Sequence, residues 1–336
     1  MARLELDVTV ETLRLAQPFR ISGHVFTGSD VIVVTLRDGD LWGRGEGGGV
    51  YYLNDDVPHM LYTIGAVRSA IEAGPTREEL RSIMPPGGAR NAVDCALWEL
   101  EAARAGVPVW KLAGQAEPQP LRTTFTLGAD EPDVMAAGAI GYAGAKSIKV
   151  KLTGELELDI ARVRAIRAAR PDVWLGVDGN QGFVAEQLDE LVAALEEQQV
   201  SLLEQPLARG READLYGYRS AVPIAGDESL LTSDDLPGAV GCFDVVNIKL
   251  DKCGGLTEGL LMAAEARRLG LGVMVGNMVG SSLAMAPAYV LGQGCDIVDL
   301  DGPTFLAEDR TPSVVYEGGN ITAGPEVWGS GRVEVA

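Results

Sequence analysis

Histidine is nearly absent: the 336-residue chain holds two, His24 and His59. A histidine base is therefore not expected, and a Ser-His-Asp triad has no support, since Ser281-Ser282 has no histidine placed to serve it. Cysteine is scarce too. Cys95, Cys242, Cys253 and Cys295 show no Cys-x-x-Cys spacing and suit a reducing compartment. Basic residues fall well short of acidic ones, 28 against 48, and the net charge of −20 argues against nucleic acid or an anionic membrane as partner. The stretch Met1-Ala2-Arg3-Leu4-Glu5-Leu6-Asp7 has no apolar h-region, so a cytoplasmic protein is expected. Leu269 to Cys295 runs 27 residues without a charge, long enough to cross a bilayer. Asn277, Ser281, Ser282, Pro287, Gln293 and several glycines interrupt it, so a buried strand, turn and helix are expected instead.

What is present is ample core, 46% hydrophobic residues, enough for one large or two modest domains. Within it, Ser147-Ile148-Lys149-Val150-Lys151-Leu152 is a β-branched run that places Lys149 and Lys151 on one strand face. Alone, it reads as an edge strand with solvated lysines. Desolvated together, two such lysines include one that loses its proton readily and can act as a base. Three acids come next, each ending an apolar run: Asp178 after Val173–Val177, Glu204 after Val200–Leu203, and Asp227 after Val222–Gly226; Asp244–Ile248 then ends in Lys249. The steps from Lys151 to Lys249 are 27, 26, 23 and 22 residues, the rhythm of a parallel β/α repeat. Closed into a (β/α)₈-type barrel, such positions share one mouth, and the three carboxylates converge with a lysine on either side.

Ahead of the repeat, apolar and polar residues alternate over Leu4–Leu15 and Val31–Leu36, with a turn at Asp38-Gly39-Asp40, and predict an antiparallel sheet. The link Ala16–Ser29 is expected to be mobile, and the Gly-rich Gly45–Leu53 a lid or an ordinary surface loop. Helical periodicity over 56–113 is clearest from Ala89 to Gly106. The expected division is residues 1–115 as an α+β capping domain, 116–305 as the barrel, and 306–336 as a segment returning to the cap. Barrel strand one is expected at Leu121–Leu127, strand seven at Leu271–Val275 and strand eight at Ile297-Val298. Asp299 and Asp301 share a face after strand eight; they are either turn formers or an anionic pocket for a cation.

Three carboxylates between two lysines suit Mg²⁺, with coordination sites left for substrate. Lysines on opposite sides of a carbon acidified by a metal-held carboxylate can remove a proton from one side and return one on the other, a racemisation or epimerisation. A Schiff-base aldolase needs no metal and leaves the carboxylates unexplained. A non-enzymatic binding protein leaves the lysines unexplained as well.

Taken together, Asn91–Leu100, Lys149-Val150-Lys151, Asp178-Gly179-Asn180, Glu204-Gln205-Pro206, Gly226-Asp227-Glu228-Ser229 and Lys249 resemble the enolase superfamily, in its muconate-lactonizing-enzyme-like subgroup. The resemblance implies a modified TIM barrel, (β/α)₇β, with an N-terminal α+β capping domain. It further implies one Mg²⁺ per subunit on Asp178, Glu204 and Asp227, Lys151 and Lys249 as the acid/base pair, and Lys149 as the neighbour that lowers the pKa of Lys151. Within the subgroup, Ile248–Glu258 and Asp299-x-Asp301 resemble dipeptide epimerases of the L-Ala-D/L-Glu type. There the Asp pair takes the free α-ammonium, so the implied partner is a dipeptide. Thr126, Lys149, Asn277 and Val279 match positions near the substrate; homo-oligomerisation is left open. Two positions depart from that pattern. His24 is matched to a usual arginine in the 20s loop, which bears on the side-chain choice at the inverted residue, and Asn277 stands where a cysteine is usual. A cycloisomerase, an o-succinylbenzoate synthase or an N-acylamino acid racemase is the alternative within the superfamily.

Overall fold

The computed structural model describes residues 3–21 and 24–330, with side chains for residues 3–18 and 25–330. The N-terminal sheet is antiparallel, β1 (Glu5–Ile21), β2 (His24–Asp38) and β3 (Leu41–Gly48), in that order. Both long strands run through the segment expected to be a mobile link. Arg14 pairs with Gly28 and Phe19 with Phe26, across a register shift between Arg14 and Phe19, so residues 19–21 and 24–28 of the link are paired strand. The alternation visible up to Leu15 breaks at this irregularity, so the sequence pattern ends before the strand does.

Three helices pack on the sheet: α1 (Val57–Glu72), α2 (Arg77–Ile83) and α3 (Gly88–Ala105). The inward face of β2, with Ile32, Val34 and Leu36, shares a core with Val93, Leu97 and Leu100 of α3. The glycines of β3 have a purpose other than mobility. A Cβ at Gly43, Gly45 or Gly47 would lie 2.2, 2.1 and 2.2 Å from the backbone oxygens of Ala96, Ala92 and Gly88. From Gly43 to Gly47 every second residue of β3 is thus a glycine because α3 lies directly on the strand backbone. The first part of the expected lid is therefore close-packed sheet, and only past it does the chain turn, at Tyr51–Leu53, toward the barrel mouth.

Eight parallel strands come next, each hydrogen-bonded to its successor: Phe125–Leu127, Ser147–Lys151, Trp174–Asp178, Leu202–Glu204, Ile224–Gly226, Val245–Lys249, Gly272–Gly276 and Ile297–Val298. The Thr124 N–H donates to the Val298 carbonyl at 3.0 Å and joins the eighth strand back to the first. The fold is a (β/α)₇β-type TIM barrel with an N-terminal capping domain. Two details differ from the expected layout. Leu121–Arg122 belongs to a separate small sheet with Val315–Glu317 and Asn320–Thr322, and after strand four a 3₁₀ turn, Glu212–Leu215, stands in place of a full helix. The charge-free stretch resolves into strand seven and the helix Ser282–Gly292. Among the described residues no helix is long and apolar enough to cross a membrane.

The cap is fastened to the barrel through the segment just past strand six. Arg90 donates to the carbonyls of Gly254 (3.1 Å) and Cys253 (2.5 Å), Trp98 Nε1 to Thr257 Oγ1 (3.0 Å), and Thr257 to both carboxylate oxygens of Asp94. The C-terminal segment adds a second tie: Arg310 pairs with Glu11 at 2.6 Å and Glu46 at 3.1 Å, and Trp328 Nε1 donates to the Arg44 carbonyl.

Burial pushes Asp94 from an ordinary 3.8 to about 6, against the hydrogen bonds from Thr257. A carboxyl whose folded pKa lies above its unfolded one gives stability that is present below the unfolded value and is lost as pH rises through the folded value. The shift to about 6 corresponds to roughly 3 kcal/mol. On going from about pH 8 to about pH 5, the wild-type Tm is expected to rise relative to that of Asp94→Asn, whose amide cannot titrate. Parallel Tm curves for the two proteins would show that Asp94 does not titrate in this window.

Candidate active site

Each functional side chain sits at or just past the C-terminal end of a barrel strand, because the strands carry apolar residues along their length and a charged residue where they reach the mouth. Register puts Lys151 beside Asp178 and Asp178 beside Glu204. Strands two and six, which carry Lys151 and Lys249, are four apart in a ring of eight and so face one another across the mouth. The acids of strands three and four, and Asp227 just past strand five, lie on the arc between them.

Asp178, Glu204 and Asp227 are buried, and one carboxylate oxygen from each lies within 4.8 Å of the others. Their donors are hard oxygens only, a set that fits Mg²⁺ and no thiophilic metal. Two observations support the fit. Burial, with the Asp178 charge, pushes Glu204 up to about 7, the mark of acids crowded without enough positive charge. Among the described residues, Asn180 Oδ1, Asn247 Oδ1 and Glu228 Oε2, each next to one member of the triad in sequence or by hydrogen bond, are buried acceptors with no donor. A hydrated cation brings both charge and donors.

The lysines are buried, so the solvated edge-strand reading does not hold. Lys151 Nζ donates to Asp178 Oδ2 at 2.6 Å, and Lys249 Nζ to Asp227 Oδ2 at 2.5 Å. Lys149 is paired with Asp299 and lies 3.3 Å from Glu204 and 3.9 Å from Asp178. Burial disfavours the Lys149 charge, but these acids outweigh it and hold the ammonium above its ordinary value.

Asp299 and Asp301, expected to act as a pair, differ. Asp299 accepts from Thr124 Oγ1 as well as Lys149. Asp301 accepts the Thr126 N–H at 2.6 Å, and burial with the Asp299 charge raises it to about 7. An approaching cation would draw Asp301 back toward ionisation, which makes it the more responsive of the two.

A cavity of about 130 Å³ opens above the lysines and acids. Of the residues expected to meet substrate, Thr126, Lys149, Asn277, Val279, Asp299 and Asp301 line it, as do Lys151, Asp227 and Lys249. Asn277 uses its amide nitrogen on the Asp299 carbonyl at 2.6 Å and braces the turn after strand seven. The His24 side chain lies outside the described residues. The 20s hairpin instead brings Phe26, Gly28 and Ser29 to the cavity, with Phe26 edge-on to Tyr51 at 5.6 Å and Ser29 Oγ donating to the Val279 carbonyl at 3.1 Å. His59 is committed elsewhere, paired with Asp55 at 2.9 Å.

Sequence reasoning missed Lys252, whose ammonium, fully buried, donates to Asp227 Oδ1 (2.5 Å) and to the carbonyls of Asp227, Leu230 and Asn247. Burial opposes ionisation of Asp227, yet Lys249 and Lys252 hold it far below the usual carboxylate range. A signal existed: Lys252 comes three residues after Lys249 as the chain enters a helical turn, which brings the two to one side. Gln205 was also missed; its Oε1 accepts the Asp227 N–H at 2.9 Å and orients that residue.

Residues 3–114 match the N-terminal domain of the mandelate racemase / muconate lactonizing enzyme family, and residues 134–331 match the enolase C-terminal domain-like family. The chain belongs to the mandelate racemase / muconate lactonizing enzyme family of the enolase superfamily. Among relatives, it is 39% identical to L-Ala-D/L-Glu epimerase of Escherichia coli over 94% of this chain and 98% of that one. It is 37% identical to N-acetyl-D-glutamate racemase of a Pseudoalteromonas species, over 87% and 92% of the two chains. Among solved structures, an enolase family member from Agrobacterium tumefaciens with homology to dipeptide epimerases, holding sodium and L-Ala-L-Glu, superposes with a TM-score of 0.92 at 42% identity, covering 97% of this chain and all of that one. Dipeptide epimerase from Methylococcus capsulatus, complexed with Mg and L-Arg-D-Lys, gives 0.90 at 28% identity, over 96% and 98%. The relatives from Escherichia coli, Pseudoalteromonas and Methylococcus capsulatus are named epimerases or racemases, and this family member is an isomerase.

Proposed function

We propose that this protein is a Mg²⁺-dependent dipeptide epimerase that inverts the α-carbon of the C-terminal residue. The observation that carries the reading is the buried carboxylate triad flanked by Lys151 and Lys249 from opposite sides of the barrel, with Asp301 lining the same cavity as the two lysines and Asp227. Asp178, Glu204 and Asp227 would hold Mg²⁺, which supplies positive charge to the substrate carboxylate beside the carbon that loses its proton. Lys151 and Lys249 each reach that carbon from their own face; one removes the proton and the other returns one. Lys149, kept charged by Asp299, adds a fixed cation beside the triad. Asp301, with Asp299 behind it, receives the α-ammonium. We read residues 1–115 as the cap that closes the pocket, 116–305 as the catalytic barrel and 306–336 as the strap between them. The cysteines, all unpaired, accord with action in the cytosol.

A second reading, an N-acylamino acid racemase, is favoured by the commitment of Asp299 to Lys149 and by the likeness to the N-acetyl-D-glutamate racemase. The two are separated by tracking α-proton exchange in heavy water on matched dipeptides and N-acetylated amino acids. For the dipeptide reading, N-acetylation of a good dipeptide is expected to lower kcat/KM by at least about tenfold, because it removes the cation facing Asp301. Asp301→Asn should cause a similar fall for the free dipeptide and a much smaller one for its acetylated form. N-acylamino acids turned over as well as dipeptides would establish the racemase reading.

A further inference from the structure

Asp251 lies two residues past Lys249, in the helical turn Leu250–Cys253, and has no part in the proton transfers assigned to the lysines. It is 7% exposed, and it reaches out of the barrel into the cap. Its Oδ1 accepts the Gly48 N–H at 2.9 Å and Asn91 Nδ2 at 2.8 Å. Asn91 belongs to α3 and also donates to the Glu46 carbonyl at 3.2 Å, while Gly48 ends β3. One carboxylate oxygen therefore joins the turn after the strand-six lysine to β3 and to α3 of the cap.

The residues just past Gly48 make this junction more than a tie between domains. Gly49, Tyr51 and Tyr52 line the cavity, and Tyr51 packs edge-on against Phe26 of the hairpin. The wall is short and has little slack: Val50 pairs with Asp55, and a Cβ on Gly49 would lie 2.1 Å from the Asp55 carbonyl oxygen. A shift of Gly48 is passed toward Tyr51, three residues on, through a segment to which the Val50–Asp55 pairing and the close contact at Gly49 leave little room to absorb it. The docking of cap on barrel has independent fastenings in Arg90, Asp94 and Trp98, so the Asp251 bond to Gly48 is not needed to keep the domains together.

We propose that Asp251 is a positioning residue that sets the Gly48–Tyr52 wall of the cavity against Lys249 and thereby fixes how tightly the substrate side chain is gripped. This rests on the dipeptide reading of the site. Burial, added to by the charges of Glu46 and Asp55, pushes Asp251 up to about 7, so an amide that keeps the accepting oxygen is a close mimic of it.

The test uses the full-length Mg²⁺-loaded protein with Asp251→Ala and Asp251→Asn, on series of dipeptides and of N-acylamino acids that differ in side-chain size. Asp251→Ala is expected to raise KM about tenfold for large side chains while kcat stays within about threefold, and to flatten the ratio of kcat/KM between large and small side chains. Asp251→Asn should behave as wild type. Mg²⁺ affinity by calorimetry should be unchanged in both, since Asp251 touches none of the three metal-site carboxylates. Should Asp251→Ala fail to fold, Asp251→Ser, too short to reach the Gly48 N–H, gives the same comparison. An unchanged KM and side-chain ratio would overturn the proposal, as would an equal fall in kcat for the alanine and asparagine variants. Wild type active on the N-acyl series alone would overturn the dipeptide reading, while the Asp251 comparison on that series would still decide the positioning role.

Discussion

Glu204→Gln is expected to lower turnover by at least about a thousandfold and yet leave the protein as stable as wild type or more so. The two effects have one cause. Glu204 is buried with Asp178, and its elevated pKa shows that the fold bears a cost for keeping the charge there. An amide keeps the shape and an acceptor for Asn247 Nδ2, now at 2.7 Å from Glu204 Oε1; its NH₂ replaces the oxygen 3.3 Å from Lys149, whose ammonium keeps Asp299 as its partner. The amide removes one of three charges that would bind Mg²⁺. Calorimetric Mg²⁺ titration should show affinity reduced by at least about tenfold, alongside an unchanged or higher Tm in chelator. Wild-type turnover in the variant, or full activity of the wild type after chelation, would remove the triad from the mechanism.

Lys151→Met and Lys249→Met should each depress epimerisation by roughly a hundred- to ten-thousand-fold, with opposite one-sided defects. A lysine facing only one side of the α-carbon exchanges only one epimer, so each variant should still wash deuterium into the epimer served by the lysine that remains. The Lys249 variant is a fair test because Asp227 keeps the Lys252 ammonium at 2.5 Å and is not left as an unpaired buried charge. In the Lys151 variant Asp178 loses its 2.6 Å partner but retains Lys149 at 3.9 Å. Proton NMR in heavy water on each pure epimer reads the result. Exchange of both epimers at wild-type rates in both variants would mean that another group carries the proton.

The barrel and its acids were legible because a parallel β/α repeat imposes a period on the sequence, and Asp178, Glu204 and Asp227 mark that period at the strand ends. Lys149 and Lys151 were legible as a shared face, since a strand alternates regardless of its surroundings. Their burial was not, because that depends on the other strands of the ring. The close-packed role of Gly45 and Gly47, in a stretch read as either a lid or a surface loop, was not legible for a related reason: glycine that permits movement and glycine that permits contact look alike until the helix lying on it is seen. Phe26 and Tyr51 were missed because the hairpin and the turn that carry them come together only through the folded cap; Lys252 was missed although its spacing from Lys249 puts the two on one side, because its acceptors are mostly backbone carbonyls, which the sequence does not single out.

The direct seating of α3 on β3 also bears on how this enzyme can be re-engineered. A side chain added at Gly43, Gly45 or Gly47 would wedge the cap off its own helix and, through Arg90 and Asp94, off the barrel. Those positions are closed to mutagenic exploration, however near the mouth they lie. Phe26, Ser29 and Tyr51 border the same cavity from the cap side without such a seat. A combinatorial library aimed at new substrates belongs on those three codons, with the glycine register held constant as the chassis.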